Sequence, residues 1–173
     1  MSINDPKTIF QTALTDVVAS GGYDSEQVGT MRHGHDGKIY RWVQNTHSAD
    51  TAVGSVVFHS GEDDGVDLYK YIEDGATDEL MYMAGVAISI IPSNGFGWIQ
   101  VEGTNPTINN LGRVATAMNA GTSMIGVDSQ LYCAFGAAEG TAPVYTKRII
   151  SLEDVASAAT PAAATIAGII QCK

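Results

Sequence analysis

The stretch SNGFGWIQVEG, residues 93 to 103, places an aromatic pair among glycines and then alternates apolar and polar residues. Such alternation is typical of a β-strand, in which Trp98 and its neighbour Ile99 point to opposite faces. The glycines on both sides of Phe96 allow the backbone to bend or another chain to approach closely. No helical pattern or Lys-Ser/Thr step follows, so the glycines do not resemble a phosphate-binding loop. We therefore predict a strand over residues 96 to 102, at the edge of a sheet.

A similar pattern occurs earlier in the chain. The matched segments are Trp42-Val43-Gln44 with Trp98-Ile99-Gln100, Gly54-Ser55-Val56 with Gly112-Arg113-Val114, and Ala84-Gly85-Val86-Ala87 with Ala167-Gly168-Ile169-Ile170. We interpret residues 40 to 91 and 96 to 172 as two versions of one strand-turn-strand plan. The alternative is a chance match between short β-strand motifs.

Short apolar runs separated by turn residues fill most of the chain. The 173 residues are 45% hydrophobic and include 19 glycines but only 5 prolines, which suits one globular domain with many turns. An Asp-Gly turn at residues 35 to 37, before the alternating run 38 to 44, predicts a β-hairpin. Further strands are predicted at 55–59, 66–72, 80–91, 111–118, 123–127, 130–135, 143–151 and 165–171. The fold class is therefore mainly β, a single-domain β-sandwich or barrel over residues 23 to 173.

Residues 1 to 22 have a different periodicity. Asp5 can cap a helix, and Pro6 suits its first position. Apolar residues then recur at spacings of three and four until Gly21-Gly22, which predicts an N-terminal amphipathic helix or arm. The residues of this apolar face are Ile9, Phe10, Ala13, Leu14, Val17 and Val18. Two roles are open: packing on its own domain, or docking on a neighbouring subunit.

The chain is acidic, with a formal net charge of −10 from 9 basic and 19 acidic residues. This charge repels phosphate backbones, and the scattered basic residues form no polybasic patch, so we expect no direct contact with nucleic acid or membrane. Acidic residues concentrate at residues 62 to 79, which we predict to be an exposed excursion. No apolar run reaches the roughly 18 residues of a membrane-spanning helix, and the N-terminus lacks the pattern of a signal peptide. We therefore expect synthesis in the cytoplasm.

Residues that can carry chemistry lack the spacings that catalysis or metal binding requires. The histidines fall in one third of the chain, with no carboxylate or cysteine at ligand spacing: His33, His35, His47 and His59. The loop GEDDG, residues 61 to 65, lacks the spacing of a calcium-binding loop. No nucleophile elbow or zinc-protease motif occurs. Cys133 and Cys172 are expected to be reduced thiols. We predict no catalytic, cofactor-binding or metal-binding residue, and no enzymatic activity.

Several segments resemble, in their order, segments of the small head proteins of tailed bacteriophages. VGTMRHGHDGKIYRWVQN, residues 28 to 45, and AVGSVVF, residues 52 to 58, are similar to the start of those proteins. There, a Gly-x-x-Arg step leads to Asp-Gly-Lys/Arg-x-Tyr-Arg-(aromatic)-Val and then to Gly-x-Val-Val. The later segments AGVAISII, GFGWIQVEG, LGRVATA and AGIIQCK are similar to later strands of that family. The N-terminal helix and the acidic segment at 62 to 79 depart from the family pattern.

The resemblance implies a capsid decoration (cement) protein. Such proteins are β-rich and usually trimeric, and they lie on the outer surface of the capsid at junctions between major capsid proteins. The implied function is to clamp neighbouring major capsid proteins against the pressure of the packed DNA, with the major capsid protein and further copies of the chain as partners. The candidate contact residues are Ile9, Phe10, Leu14, Val17, Phe96 and Trp98. The alternative is a phage tail or fibre β-sandwich that stacks its aromatic pair on a host-surface carbohydrate.

Overall fold

In the part of the chain that the structure describes, eleven strands belong to one hydrogen-bonded sheet. The computed structural model describes residues 10–60, 70–73, 83–111, 120–121, 123–126, 133–135, 148–154 and 163–172. In chain order the strands are β1 (Val17–Val18), β2 (Met31–His33), β3 (Ile39–Asn45), β4 (Val56–His59), β5 (Tyr71–Glu73), β6 (Met83–Ala87), β7 (Phe96–Leu111), β8 (Ser123–Gly126), β9 (Cys133–Phe135), β10 (Arg148–Ser151) and β11 (Ala163–Gln171). The predicted mainly β fold class is confirmed.

Five strands close into a barrel through their pairings, which we call the first cycle. Starting from β3, the successive neighbours are β7, β6, β4 and β5, and β5 pairs again with β3. Each pair is antiparallel except β3 with β5, which is parallel. All five strands contribute apolar residues to one buried cluster, which includes Ile39, Val43, Val57, Ile72, Ala84, Ala87, Ile99 and Val101.

The same plan occurs again in a second cycle, which begins with β7. From β7 the neighbours are β11, β10, β8 and β9, and β9 pairs again with β7. Here too the first and third strands in chain order, β7 and β9, form the parallel pair. Strands β7 to β11 therefore repeat the arrangement of β3 to β7, and β7 serves in both. A second buried cluster joins the two cycles: Val56, Phe58, Met83, Val86, Ile108, Ile149, Ile166, Ile170 and Cys172.

The turns that lead into β4 and β8 are equivalent as well. Gly54 and Gly121 have φ angles of 83° and 87°, in the left-handed region that glycine adopts without steric cost. The Gly54 N–H donates to the carbonyl oxygen of Ala87, the last residue of β6, at 2.8 Å. The Gly121 N–H donates to that of Ser151, the last residue of β10, also at 2.8 Å. The two cycles thus share a turn and its hydrogen bond, in addition to their strand order.

The predicted doubling of one plan is therefore present, but the repeated tryptophans are not its equivalent positions. β3 and β7 are antiparallel partners, and Trp42 lies directly opposite Trp98. The equivalent position in β7 is found farther along, because Asn45 of β3 and Asn110 of β7 are the residues that pair with the parallel third strand. The two Trp motifs are neighbours across one strand pair.

The stretch at residues 96 to 102 is not an edge strand, so that part of the prediction is wrong. β3 pairs with it on one side, and β6 and β1 pair with it on the other. Its glycines do allow a close approach, by the N-terminal segment of the same chain. A β-carbon on Gly95 would lie 2.5 Å from the carbonyl oxygen of Val18, and one on Gly97 would lie 3.3 Å from Cγ1 of Val17.

The predicted N-terminal helix is wrong for residues 10 to 22, which contain no helix. Residues 1 to 9 lie outside the described part of the chain. The Asp16 carboxylate accepts a hydrogen bond from the Ala13 N–H at 2.8 Å, and the Asp16 N–H donates to the Ala13 carbonyl oxygen at 3.1 Å. These bonds close a turn that competes with the helical ladder. Val17–Val18 then pair with β7, as suits β-branched residues. The segment is an arm.

The acidic segment at residues 62 to 79 lies mostly outside the described residues. Within it, β5 pairs with β3 and β4, and its Ile72 is fully buried. Part of the predicted excursion is therefore a strand of the first cycle.

The predicted Asp-Gly turn is confirmed, since β2 and β3 form an antiparallel pair and Gly37 has a φ of 77°. In this turn the Lys38 ammonium lies 3.1 Å from the Asp36 carboxylate. The hydrogen bond from the Lys38 side chain lowers the pKa of the exposed Asp36 carboxyl group.

We predict that Lys38→Met raises the pKa of Asp36 toward its ordinary value. Because the folded-state pKa is lowered, the interaction stabilises the fold above the unfolded-state pKa and is lost as the pH falls through the folded-state pKa. The pair is exposed, so the effect on stability is small. An NMR titration of the Asp36 carboxyl carbon measures the shift, with Lys70→Met as the control. An unchanged pKa in Lys38→Met contradicts the assignment.

We also predict that Gly85→Ala destabilises the barrel. Gly85 lies beside a bulge in the pairing of β4 with β6, and a β-carbon there would overlap the carbonyl oxygen of Gln100. Because this obstacle is backbone and cannot rotate away, we expect the free energy of unfolding to fall by about 2–3 kcal/mol. Gly37→Ala is the control, since Gly37 has a positive φ but open space around it, and should cost about 1 kcal/mol. Urea denaturation compares the two, and equal losses contradict the steric argument.

Candidate binding site beneath the N-terminal arm

The two repeated tryptophans form the centre of the candidate site. Trp42 and Trp98 face each other across the antiparallel pair of β3 and β7. Their ring centroids are 5.3 Å apart, and the rings are inclined at 63° in an edge-to-face arrangement. Such a pair contributes about 0.5–1.5 kcal/mol beyond the burial of its surface. Both side chains are 0% exposed, so something must cover this outer face of the barrel.

The cover is the N-terminal arm. Phe10, Leu14 and Val18 pack against the tryptophan pair, together with Tyr40 and the partly buried residues Val28, Ile88 and Phe96. The Phe10 ring meets the Trp98 ring edge-on, at a centroid distance of 5.7 Å. Phe10, Leu14 and Val18 of the predicted apolar face therefore pack on the barrel, whereas Ala13 and Val17 are exposed.

Each buried indole N–H donates to a polar group near the arm. Trp98 Nε1 donates to the Thr12 hydroxyl oxygen at 2.9 Å. The Thr12 hydroxyl and backbone N–H donate in turn to one carboxylate oxygen of Glu26, at 2.7 Å and 2.6 Å. Trp42 Nε1 donates to Asp24 at 2.8 Å, and the second oxygen of that carboxylate accepts the Val28 N–H. Buried indole groups need such partners, because an unpaired donor costs about 1–3 kcal/mol.

Arg32 adds a positive charge to this network. Its guanidinium carbon lies 4.8 Å from the centre of the Phe10 ring, within the range of a cation–π contact. Its Nη1 donates to the Thr12 carbonyl oxygen at 3.1 Å. Arg32 and Glu26 thus hold the same residue of the arm, one through its carbonyl group and the other through its donors.

Tyr40 lies at the border of this cluster. Burial raises the pKa of its phenol group, and the nearby Asp36 carboxylate raises it further. The phenol therefore stays neutral over the physiological range, as suits a side chain packed against two indole rings.

Most of the residues predicted as contact residues come together here. Phe10, Leu14, Phe96 and Trp98 share one cluster. Val17 pairs with Gly97 and is 40% exposed. Ile9 lies outside the described residues. Trp98 presents no surface to a partner while the arm is in place, and its side chain is covered by the chain itself.

The polar residues of the site were not predicted from the sequence. Thr12, Asp24, Glu26 and Arg32 have no local spacing that marks them. The bond from Trp98 to Thr12 joins residues 86 positions apart, and the bond from Trp42 to Asp24 joins residues 18 apart. Two buried indole N–H groups require hydrogen-bond acceptors. This requirement indicates polar partners but does not identify the residues that supply them.

The histidines are not assembled into a metal site. The described residues contain no group of three or more His, Cys, Asp or Glu side chains positioned to hold an ion. His33 is exposed at the end of β2, whereas His59 is buried in β4. His47 accepts a hydrogen bond from the Ala49 N–H at 3.3 Å, within its own loop. The Cys172 side chain is buried.

Comparisons with protein-family models, with curated proteins and with solved structures gave no match to the chain. Among the described residues, no helix has the length and apolar character needed to cross a membrane.

We predict that Thr12→Val frees the Trp98 indole N–H to exchange. Valine keeps the shape of threonine but removes the hydroxyl group that accepts from Trp98 and donates to Glu26, so loss of about 1–3 kcal/mol should loosen the arm locally. The indole N–H of Trp98 should exchange with solvent deuterium at least about tenfold faster, as measured by NMR. Thr12→Ser, which keeps the hydroxyl group, is the control. Equal exchange in both variants contradicts a role for this bond.

Proposed function

We propose that this chain is a structural virion protein that binds the outer surface of a tailed-phage capsid and clamps neighbouring major capsid proteins. The observation that supports the proposal is an ordered series of motifs that resembles the one in phage decoration proteins. In this reading the chain has no catalytic role, is made in the host cytoplasm and acts as a homo-oligomer, with three copies expected.

Most of those motifs lie on successive strands and turns of the fold. Residues 28 to 45 contain the hairpin of β2 and β3. Residues 52 to 58 contain the glycine turn that leads into β4 and most of β4 itself. AGVAISII begins within β6, GFGWIQVEG covers the first half of β7, and AGIIQCK ends β11. LGRVATA, residues 111 to 117, lies outside the described residues except for Leu111.

The proposed role is mechanical. A clamp that buries surface across several capsid subunits adds its binding free energy to each junction, and a standard interface buries about 1,600 Å² in total. Several attachment points per oligomer raise the avidity without new kinds of contact. The net charge of −10 suits a protein that coats particles and keeps them apart in solution.

One exposed apolar pair is a candidate contact for the capsid. Val53 and Ile90 are 49% and 55% exposed, on segments that run side by side. The Thr51 N–H donates to the Ile91 carbonyl oxygen at 3.0 Å, and the Gly54 N–H donates to that of Ala87 at 2.8 Å. Sequence patterns missed this pair, because its two members lie far apart along the chain.

The alternative, a carbohydrate-binding module of a tail or fibre, loses its main support. It relied on an exposed aromatic pair, but Trp98 is 0% exposed and Phe96 is partly buried beneath the arm. Stacking on a sugar requires an aromatic face that is open to solvent.

The test is the copy number of the chain in purified particles and its effect on the shell. We expect densitometry to give a fixed ratio to the major capsid protein, and heads that lack the chain to lose DNA at lower temperature. A handful of copies per particle, as for a tail component, overturns the proposal.

The contact pair is tested separately, by adding variants to heads that lack the chain. Ile90→Asp should weaken binding by about tenfold or more, because a charge would be buried in an apolar contact. Leu152→Asp is the matched control, since Leu152 is also apolar and is 45% exposed, but lies after β10 in the second cycle. Equal binding by both variants removes Ile90 from the interface and leaves the copy-number test unaffected.

A further inference from the structure

We propose that the N-terminal arm exchanges between copies of this chain, so that residues 10 to 18 of one copy cover the Trp98 site of another. The arm is defined here as residues 10 to 18, and the hinge as residues 19 to 23. The occupant of the site is thus a second copy of the same segment. The exchange does not require a capsid, and it stands or falls independently of the proposed function.

The contacts that hold the arm on the barrel are made with residues on the other side of the hinge. Thr12 binds Glu26 and Trp98, and Phe10 contacts Arg32 and Trp98. β1 pairs with the start of β7. None of these partners belongs to the arm itself, so every one of the contacts can form equally well with the arm of a neighbour. The turn between Ala13 and Asp16 lies within the arm and moves with it.

The hinge is exposed and is closed by a single turn. Every residue from Ala19 to Tyr23 is exposed, and Tyr23 keeps 84% of its surface. Gly21 has a φ of 77° with open space around it. One backbone hydrogen bond, from the Gly22 N–H to the Ala19 carbonyl oxygen at 2.9 Å, closes the turn. Opening it gives up one hydrogen bond in a turn whose residues are all exposed.

The site is unfavourable when no arm occupies it. Removing the arm would expose the faces of Trp42 and Trp98 and would leave the Trp98 N–H without Thr12. An open arm with an empty site is therefore strongly disfavoured, and the two populated arrangements are the arm in its own site and the arm in a neighbour's site. Exchange of an identical element is a low-cost route to oligomers, and a head-to-tail exchange that closes forms a ring.

Concentration decides between these two arrangements. A short tether gives the arm an effective concentration in its own site of about 1 mM, so exchange becomes appreciable only when neighbours approach that concentration. Copies crowded side by side on a surface meet this condition. In dilute solution, the arm stays in its own site.

Two variants, each with one added cysteine, detect the exchange directly. Val18 and Phe96 are opposite residues of the antiparallel pair between β1 and β7. Opposite residues in such a pair have Cα atoms about 4.5–5.5 Å apart, within the range for a disulfide. Val18→Cys in one chain can reach Phe96→Cys in another chain only if the arm crosses. We therefore mix the two variants, oxidise them mildly and separate the products without reductant.

We expect a mixed disulfide dimer whose fraction rises about tenfold when the concentration is raised tenfold toward 1 mM. Each variant alone measures any linkage through the native cysteines. Val18→Cys mixed with Thr165→Cys, an exposed position in β11, measures random collision and should give at least about tenfold less dimer. The double variant Val18→Cys/Phe96→Cys checks the register, and should form an intrachain disulfide in dilute solution.

Two outcomes overturn the proposal. The first is a mixed dimer no more abundant than the random-collision control at the highest concentration. The second is a double variant that forms no disulfide, since the arm then does not pair with β7 in the register on which the exchange depends.

Discussion

The pairing of Trp42 with Trp98 across β3 and β7 is the contact on which the rest of the structure depends. It places the two largest side chains of the chain on the same outer face of the barrel, where both are fully buried. That burial requires a cover and two acceptors for indole N–H groups. The arm supplies the cover through Phe10 and one acceptor through Thr12. The packing of the N-terminus is therefore a consequence of this one aromatic pair.

β7 is the second organising feature, because it belongs to both cycles. Its first half closes the barrel with β3 and β6, and its second half opens the next cycle with β11 and β9. A strand of 16 residues can do this because its two halves find different partners on each side. The two cycles consequently share a wall and a hydrophobic cluster. A shared strand also explains why the doubled plan does not separate into two modules along the sequence.

Much of the fold followed from local patterns. Alternation located β3, short apolar runs located β4, β10 and β11, and the Asp-Gly step located the β2–β3 turn, because these patterns are properties of neighbouring residues. The helix was wrong because apolar spacing does not report backbone hydrogen bonding, and this segment is an arm that pairs with a strand. The edge position was wrong because the partners of β7 lie far away in the sequence. The polar residues around Thr12 were not predicted, because their hydrogen-bond partners also lie far away in the sequence.

The sequence by itself determined that the protein is built from strands and that it is acidic. It also determined that Phe10, Leu14, Phe96 and Trp98 are apolar side chains expected to pack against other residues. Only the tertiary structure decided which residues they pack against. The two Trp motifs resemble each other in the sequence, yet they meet as neighbours across a strand pair, and the predicted contact residues cover one another. The physical reason is that the tendency of a side chain to be buried follows from its apolar character and its spacing in the sequence. The residues that it contacts depend on distances in the folded chain. That choice is also why the same arm can be exchanged between copies of the chain.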